Sequence, residues 1–222
     1  MTHLPDIELS TLQPEELALA AGVAARGMRD NPSTIAFMGD DPVRRARAIE
    51  PVYQWVLSSL QRPCLVARRQ RLIVGIAAMA PPDLCFYRQM LAQQKGLHLG
   101  DKSLAVAVPF IPWNLVLPLV RIGPTGLSRI SRWADAGVAH DPAERHQHVE
   151  LVVVEAALQG LGIGSQMMEG LCRDMDQVGE MSYLETDKEE NIRFYQRFGF
   201  EVTGESTVLG ITNWYMQRLP TV

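Results

Sequence analysis

The chain has 222 residues, of which 47% are hydrophobic and 21% are charged. This composition excludes a disordered or fibrous protein and suits one large domain or two small ones. The formal net charge of −4 gives no general attraction to nucleic acid, so no nucleic-acid partner is expected. The first residues lack the pattern of a secretory signal, and the three cysteines lack metal-ligand spacing, so we expect a cytoplasmic protein without a metal site.

The first third of the chain predicts two helices and a hairpin. Helical spacing of apolar residues indicates one helix at about 14–28 and a second at about 41–60, which Pro51 bends or interrupts. The turn-rich residues 30–33 separate the two helices. Two apolar stretches around a polar turn at Arg68–Arg71 then predict a β-hairpin.

An insert of different composition extends from about residue 83 to residue 145, with helices expected at Phe86–Gln94 and Thr125–Ala136. Its residues Leu104–Val120 carry no charge and approach the roughly 18 residues that suggest a transmembrane helix. Three prolines in this run argue against a membrane helix, because each removes a backbone donor. The run is then either a buried core element or the wall of an apolar acceptor pocket.

The last third predicts two strand–helix units followed by two strands. The expected elements are a strand at His148–Val154, a glycine loop at Gln159–Gly164, a helix at Ser165–Val178, a strand at Ser182–Thr186, a helix at about Glu190–Phe198 that Gly199 ends, and strands at Glu201–Glu205 and Asn213–Arg218. Two such units in series predict a parallel strand pair, because a helix supplies the crossover. The fold class is therefore mixed α/β (α+β).

The glycine loop is a candidate phosphate-binding site. Alternate glycines leave successive N–H groups unobstructed, and the following helix N-terminus adds unpaired donors and a positive dipole end. Position 165 is Ser165 and no GK[ST] is present, so neither the dinucleotide fingerprint nor the P-loop fits. Glycines that only permit close strand–helix packing are the alternative interpretation.

The order of elements and motifs resembles the GNAT superfamily of acetyl-CoA-dependent N-acetyltransferases. The matching motifs are Gln159-x-x-Gly162-x-Gly164 between a strand and a helix, and Asn191-x-x-Phe194-Tyr195-x-x-x-Gly199-Phe200. The resemblance is close from Val149 to the end of the chain, and YLETDKEENIRFYQRFGFEV is similar to the small-amine branch that includes puromycin N-acetyltransferase. Ala156, where the family commonly has proline, and the long insert depart from the pattern.

The resemblance implies a single GNAT-like domain over residues 1–222, with a central, mixed, mostly antiparallel sheet, a splayed parallel strand pair and flanking helices. It also implies an acyltransferase that moves an acetyl group from acetyl-CoA to the primary amine of a small, partly apolar acceptor. The residues that it assigns to the cofactor are Val152, Val153, Val154, Gln159, Gly160, Leu161, Gly162, Ile163, Gly164, Ser165, Asn191 and Tyr195.

Three residues are candidates for catalysis. The resemblance makes Tyr195 the general acid, since a phenol with a pKa of about 10 stays protonated at neutral pH; ring packing against the sheet is the alternative. His148 and Glu150 alternate with Val152 and Val154, so all four are expected on one strand face. His148 is then a candidate base, and Glu150 a base or an attractor of a cationic amine. A polar strand start and a structural ion pair are the alternatives.

Two other functions fit the same sequence. One is acetylation of a protein N-terminus or lysine, which needs an open groove, whereas the long insert favours a closed pocket. The other is a non-catalytic acyl-CoA-binding module, against which Tyr195 and Asn191 argue. The apolar insert also suits an oligomer interface, such as that of a homodimer.

Overall fold

The computed structural model describes residues 6–60, 63–80 and 113–221. The strands are β1 (Ile7–Thr11), β2 (Leu65–Arg69), β3 (Leu72–Ala80), β4 (His146–Val154), β5 (Met181–Thr186), β6 (Glu201–Val208) and β7 (Ile211–Arg218). The α-helices are α1 (Leu17–Met28), α2 (Pro32–Met38), α3 (Pro42–Ser59), α4 (Trp113–His140), α5 (Ile163–Val178) and α6 (Glu189–Gln196).

The described strands form one sheet in the order β1-β2-β3-β4-β5-β7-β6. Its neighbours pair antiparallel except for β4 and β5, which run parallel. The parallel pair follows from the helix α5 that connects its strands. This mixed, mostly antiparallel sheet with helices packed on it confirms the predicted fold class.

The parallel strands separate soon after they begin. Three positions are aligned, and the last of these sets His148 beside Tyr183. β4 nevertheless continues to Val154, so β5 does not pair with the strand beyond His148. The predicted splayed pair is therefore confirmed, and we call the opening between the two strands the fork.

A β-bulge at Glu150 lies where the fork begins. Ala78 of β3 aligns with Leu151, and its neighbour Met79 aligns with Val149, which leaves Glu150 as the extra residue on β4. A bulge of this kind bends the strand and breaks its alternation of faces. It also places the divergence of β4 from β5 at a defined residue.

The bulge makes one sequence prediction wrong. His148, Glu150, Val152 and Val154 do not share a face, because the extra residue shifts the alternation. Val152 and Val154 pack with Val149 on the core beneath α5. Leu151 and Val153 face the other core, beside α1 and α3. His148 precedes Val149 and points away from it, so its side chain lies on the opposite face from those of Val152 and Val154.

The N-terminal region differs from its prediction in three ways. The short edge strand β1 was not predicted, since its five residues carry no clear alternation. Residues 32–38 form α2 rather than a turn, because proline at the first helical position lacks only an N–H that would be unpaired there. α3 continues through Pro51 without a break.

The described part of the insert belongs to the helical layer of the domain. Its helix α4 packs against α2, α3 and β6 and changes direction at Gly123, where φ is 72°. This confirms the helix expected at Thr125–Ala136. The helix expected at Phe86–Gln94 and most of Leu104–Val120 lie outside the described residues. Within the described part, no helix combines the length and apolar character needed to cross a bilayer.

The remaining elements agree with their predictions, with small changes of boundary. The hairpin turns at Gln70 and Arg71, which both have positive φ. α5 begins two residues earlier than expected, at Ile163. The last two strands are longer and form a second hairpin through Leu209 and Gly210.

Candidate active site

The glycine loop connects the end of β4 to the start of α5. Gly160 and Gly162 have φ values of 80° and 82°, a region in which other residues are strained. The side chain of Gln159 donates to the backbone oxygen of Val154 at 3.2 Å, which ties the loop to the strand. Ile163 is buried and anchors the first turn of the helix.

Backbone donors of this loop are available to an anion. The first intrahelical bond of α5 runs from the N–H of Gln166 to the oxygen of Gly162, so the N–H groups at 163–165 have no partner within the helix. A Cβ atom added at Gly160 would meet nothing within 4 Å, which shows open space beside the loop. Donors at a helix N-terminus next to open space suit a phosphate group.

A cavity of about 650 Å³ adjoins the loop. This volume lies within the range of about 300–1,000 Å³ that is usual for ligand pockets. All of the residues predicted to hold the cofactor line it: Val152, Val153, Val154, Gln159, Gly160, Leu161, Gly162, Ile163, Gly164, Ser165, Asn191 and Tyr195. The structure therefore brings them together, and their binding of a cofactor stays a prediction.

Helix α6 presents two polar side chains to this cavity. The side-chain amide of Asn191 donates to the hydroxyl oxygen of Thr186 at 3.0 Å, which fixes its orientation at the end of β5. Tyr195 is 8% exposed, and its ring makes edge contacts with Phe194 and Phe200. Tyr195 thus packs in the core and also borders the cavity, so its position fits both a packing role for the ring and a general-acid role for the hydroxyl.

The environment of Tyr195 favours its protonated form. Burial raises the pKa of Tyr195 above its ordinary value of about 10, and the negative charge of Asp187 raises it further. A phenol in this setting remains a proton donor throughout the neutral and mildly alkaline range. The structure is therefore compatible with the acid role that the resemblance implies.

His148 and Glu150 lie at the closed end of the fork and outside the lining of the cavity. The Nδ1 atom of His148 is 3.5 Å from Oε1 of Glu150, and both side chains are more than nine-tenths buried. The structure thus brings the two candidate bases together as a buried pair. The ion-pair alternative from the sequence is the geometry observed.

Glu185 is a third ionisable residue at the fork, partly buried, and the sequence motifs did not indicate it. It follows Tyr183 by two residues on β5, as Glu150 follows His148 on β4, so one carboxylate stands on each arm. The hydroxyl of Tyr183 and the amide of Asn213 donate to it, both at 3.3 Å. Burial raises its pKa, and the nearby Glu150 adds to this, while His148 and the two donors oppose it. The sequence did contain a signal for Glu185, because a charged residue at an inward-facing position of an apolar strand is unusual.

The cavity has further lining residues that the sequence did not indicate. Lys188 precedes the recognised helix motif and Arg197 occupies a variable position within it, and both add positive charge. Gly27, Met28 and Asn31 come from the end of α1 and the turn after it. Arg197 lies over the ring of Phe194, 5.1 Å from its centroid. The residues of α1 had no sequence signal, because only the fold brings that helix to the end of β4.

The sequence model of one protein family, the acetyltransferase (GNAT) domain, matches residues 128–202. The matched segment runs from α4 to the start of β6 and includes the fork, the glycine loop and Tyr195. This segment of the chain is therefore similar to GNAT acetyltransferases. This confirms the family and the class of enzyme that the sequence motifs indicated, and GNAT acetyltransferases take their acetyl group from acetyl-CoA.

Solved GNAT structures share the fold over nearly the whole chain. One, from Corynebacterium glutamicum, is named histone acetyltransferase HPA2 and related acetyltransferase; it is 16% identical, with a TM-score of 0.63 and 98% of each chain covered. The polyamine N-acetyltransferase of Drosophila melanogaster is 13% identical, with a TM-score of 0.60, and covers 96% of this chain and 100% of its own. The PaiA N-acetyltransferase of Thermoplasma acidophilum, solved with coenzyme A, is 12% identical, with a TM-score of 0.54, and covers 96% of this chain and 98% of its own.

Proposed function

We propose that this GNAT domain transfers an acetyl group from acetyl-CoA to the primary amine of a small, partly apolar acceptor. The observation that carries the proposal is the meeting of three features in one cavity: the free edge of β4, the glycine loop and Tyr195. Each feature suits a different part of a long thioester cofactor.

The chain offers a continuous series of contacts for the cofactor. Backbone groups of Val152 and Val154 on the unpaired edge can hold the amide groups of the pantetheine arm as an added strand would. The N–H groups from Gln159 to Ser165 suit the pyrophosphate. Asn191 adds a polar contact between these two regions.

The bound thioester supplies an activated acetyl group, and the protein has to manage two protons. Tyr195, kept protonated by burial, is the proposed donor to the departing thiolate. The buried pair of His148 and Glu150 is the proposed acceptor for the proton of the amine, directly or through water. Burial strengthens the hydrogen bond from Tyr195 to the thiolate and the hydrogen bond from the amine to the His148–Glu150 pair, because the effective dielectric constant is low in a buried site.

Small amines are the favoured acceptors for two reasons. The long insert favours a closed pocket over the open groove that a peptide needs, and α2 and α4 pack together beside the fork. Among the structural relatives, the Drosophila protein is a polyamine N-acetyltransferase that catalyses the formation of N-acetylagmatine. These names support the class of acceptor and not its identity.

Two measurements test the proposal. Calorimetry with acetyl-CoA and with acetylpantetheine should show tight binding of the first and much weaker binding of the second, which lacks the pyrophosphate. A thiol-release assay over a library of primary amines, with N-terminal and lysine peptides beside them, should then show turnover with small amines. Turnover with peptides alone would favour the protein-acetylating alternative, and binding without turnover would favour the non-catalytic module.

A further inference from the structure

Lys188 is the N-cap residue of α6, a position that does not suit a lysine. Its backbone is extended, and its side chain makes no capping hydrogen bond. A lysine side chain cannot cap a helix N-terminus, because its ammonium group has three donors and no acceptor. A positive charge is also unfavourable beside the positive end of the helix dipole. A residue that breaks local rules in this way indicates a role outside the helix.

The backbone around Lys188 is held in place. Its N–H donates to the hydroxyl oxygen of Thr186 at 3.4 Å, and its carbonyl oxygen accepts from the N–H of Asn191 at 3.0 Å. The side-chain amide of Asn191 also donates to the hydroxyl oxygen of Thr186. The base of the Lys188 side chain is therefore fixed by contacts to the end of β5 and to the first turn of α6.

Lys188 is partly buried and lines the cavity, whereas most lysines are exposed. None of the ion pairs between described residues involves it. Its amine is thus placed at a cavity wall without a carboxylate partner in the described part of the chain. Such an amine can bind or attack a molecule that enters the cavity.

Lys188 lies on the same stripe of α6 as Tyr195. Lys188, Asn191 and Tyr195 follow the i, i+3, i+7 spacing of one helix face, and all three line the cavity. Helical side chains lean towards the N-terminus, so the Tyr195 ring leans towards Lys188. The charge of Asp187, the neighbour of Lys188, raises the pKa of Tyr195, which agrees with this direction. The lysine and the phenol therefore face the same part of the cavity.

Arg197 also brings positive charge to the cavity but lies on a different stripe. It covers the ring of Phe194 at 5.1 Å from the centroid, and a Cβ atom added at Gly164 would lie 3.5 Å from that ring. Arg197 therefore belongs to the side of α6 that contacts the glycine loop, where the pyrophosphate is proposed to bind. Lys188 belongs to the side of Tyr195, the proposed proton donor to the sulfur of the thioester.

We propose that Lys188 is a site of self-acetylation, and this inference rests on the proposed acetyl transfer. The nitrogen of the neutral lysine attacks the acetyl carbon of acetyl-CoA, so that a C–N bond forms as the C–S bond breaks. Tyr195 donates a proton to the sulfur, which leaves with the bonding electron pair, and Tyr195 regains a proton from the nitrogen through water. The products are Nε-acetyl-Lys188 and the free thiol of CoA. Confinement in one cavity gives the two reacting groups a high effective concentration.

Peptide mapping by mass spectrometry after incubation with acetyl-CoA, without any acceptor amine, tests the proposal. One acetyl group should appear on Lys188 and not on Lys95 or Lys102, the other two lysines of the sequence. The rate per molecule should not depend on protein concentration, because the step is intramolecular. An excess of CoA without the acetyl group should slow the step by occupying the cavity.

Two variants provide matched controls. Lys188→Arg keeps the positive charge but does not accept the acetyl group, so incorporation should be lost. Tyr195→Phe keeps the lysine and should slow incorporation by about 10²–10⁴-fold, with the Kd of acetyl-CoA within about twofold of the wild type. In urea-unfolded protein, any remaining chemical acetylation should be equal at the three lysines.

Two outcomes would overturn the assignment. Acetylation of the native protein spread equally over the three lysines, at a rate that Tyr195→Phe leaves unchanged, indicates chemical modification by the thioester. Turnover of added amines with no acetyl group on Lys188 shows that this lysine does not reach the acetyl carbon. Weaker binding of acetyl-CoA by Lys188→Gln would then assign it to a phosphate. A wild type that acetylates neither an amine nor Lys188 removes the proposed function as well, whereas in an enzyme active on amines only the Lys188 assignment is at risk.

Discussion

His148 and Tyr183 are the last aligned pair of the parallel strands β4 and β5, and their ring centroids lie 5.2 Å apart. The fork opens immediately beyond them. The Tyr183 ring is fully buried and also contacts His146 edge-on at 5.5 Å. The closed end of the fork is therefore filled by aromatic packing, which sets how far the strands can approach each other.

The ring of Tyr183 should contribute more to stability than its hydroxyl. Tyr183→Ala leaves a cavity at the closed end and should cost about 3–5 kcal/mol of unfolding free energy. Tyr183→Phe keeps the ring and removes one hydrogen bond to Glu185, so it should cost only about 1 kcal/mol. Urea denaturation of both variants measures the difference. Equal losses would show that the hydrogen bond, and not the packing, holds this end.

Tyr195→Phe should separate catalysis from cofactor binding. The substitution removes only the hydroxyl, so ring packing with Phe194 and Phe200 is retained. If Tyr195 is the general acid, kcat should fall by about 10²–10⁴-fold, while the Kd of acetyl-CoA stays within about twofold. Phe198→Tyr, in the turn just after the same helix, is a control that adds a hydroxyl at a residue outside the cavity lining. Unchanged turnover with every accepted amine, when chemistry limits the rate, would contradict the acid role.

Gly22 and Gly27 of α1 should respond to alanine in opposite directions. A Cβ atom at Gly27 would collide with the side chain of Val153 and lie 2.6 Å from the backbone oxygen of Val154, so overpacking should cost about 1–3 kcal/mol. At Gly22 the nearest atom is the flexible end of Arg26 at 3.2 Å. Gly22→Ala should therefore stabilise the helix by about 0.5–1 kcal/mol.

Urea midpoints of the two glycine variants, compared with the wild type, check this pair. Because Gly27 lies beside the cavity, Gly27→Ala should also weaken acetyl-CoA binding, and Gly22→Ala should leave it unchanged. A stabilising effect at both positions would mean that α1 can move away from β4 at little cost. The close approach of helix and strand would then not be needed for the site.

The second half of the fold was predictable because its signals are local. Valine-rich strands, glycines at alternate positions and a helix followed by Gly199 each specify structure over a few residues, and the cavity beside the glycine loop is built mainly from them. The bulge at Glu150 had no such signal. A single extra residue is visible only in the register with β3, so the face of each side chain on β4 was predicted wrongly beyond it.

The residues outside these motifs were less predictable for the same physical reason. Asn31 reaches the cavity through tertiary packing of α1, and Glu185 reaches the fork where β5 diverges, and neither event leaves a short motif. The turn-like residues 30–33 also conceal the start of α2, since asparagine and proline suit a turn and a helix start equally. Sequence patterns indicated the residues of the glycine loop and of α6 that line the cavity, and only the structure shows which other residues line it with them.

Glu185 and Asp30 should change stability with pH in opposite directions. Burial raises the pKa of Glu185, so its favourable contribution is present below the unfolded pKa of about 4.3 and is lost as pH rises through the folded pKa. Arg29 and Arg45 lower the pKa of Asp30 to about 2. Its contribution is present above the unfolded value and is lost as pH falls towards 2.

Glu185→Gln should accordingly raise the Tm relative to the wild type at pH 8, with the gain disappearing near pH 4. Asp30→Asn should lower the Tm at neutral pH by a modest amount, because this carboxylate is exposed, and the loss should shrink as pH falls and vanish only near pH 2. Thermal unfolding across pH 2–8 tests both. A Tm gain for Glu185→Gln that is constant over pH would show that ionisation is not its cause.

The buried pair of His148 and Glu150 should reveal which of its members accepts the proton of the amine. Substitution of the true base should lower kcat/KM by about 10²–10⁴-fold at neutral pH. Part of this loss should be recovered as pH rises, because the amine then loses its proton to solvent without help. His148→Gln and Glu150→Gln preserve size and polarity, and rate profiles over pH 6–10 for both variants separate the two assignments.

Thermal unfolding of both variants is the control. The partners are 3.5 Å apart and their side chains are more than nine-tenths buried, so each substitution also weakens a structural contact. A variant that loses stability but keeps its pH profile has only a packing role, and equal, pH-independent losses in both variants would exclude the pair as the base.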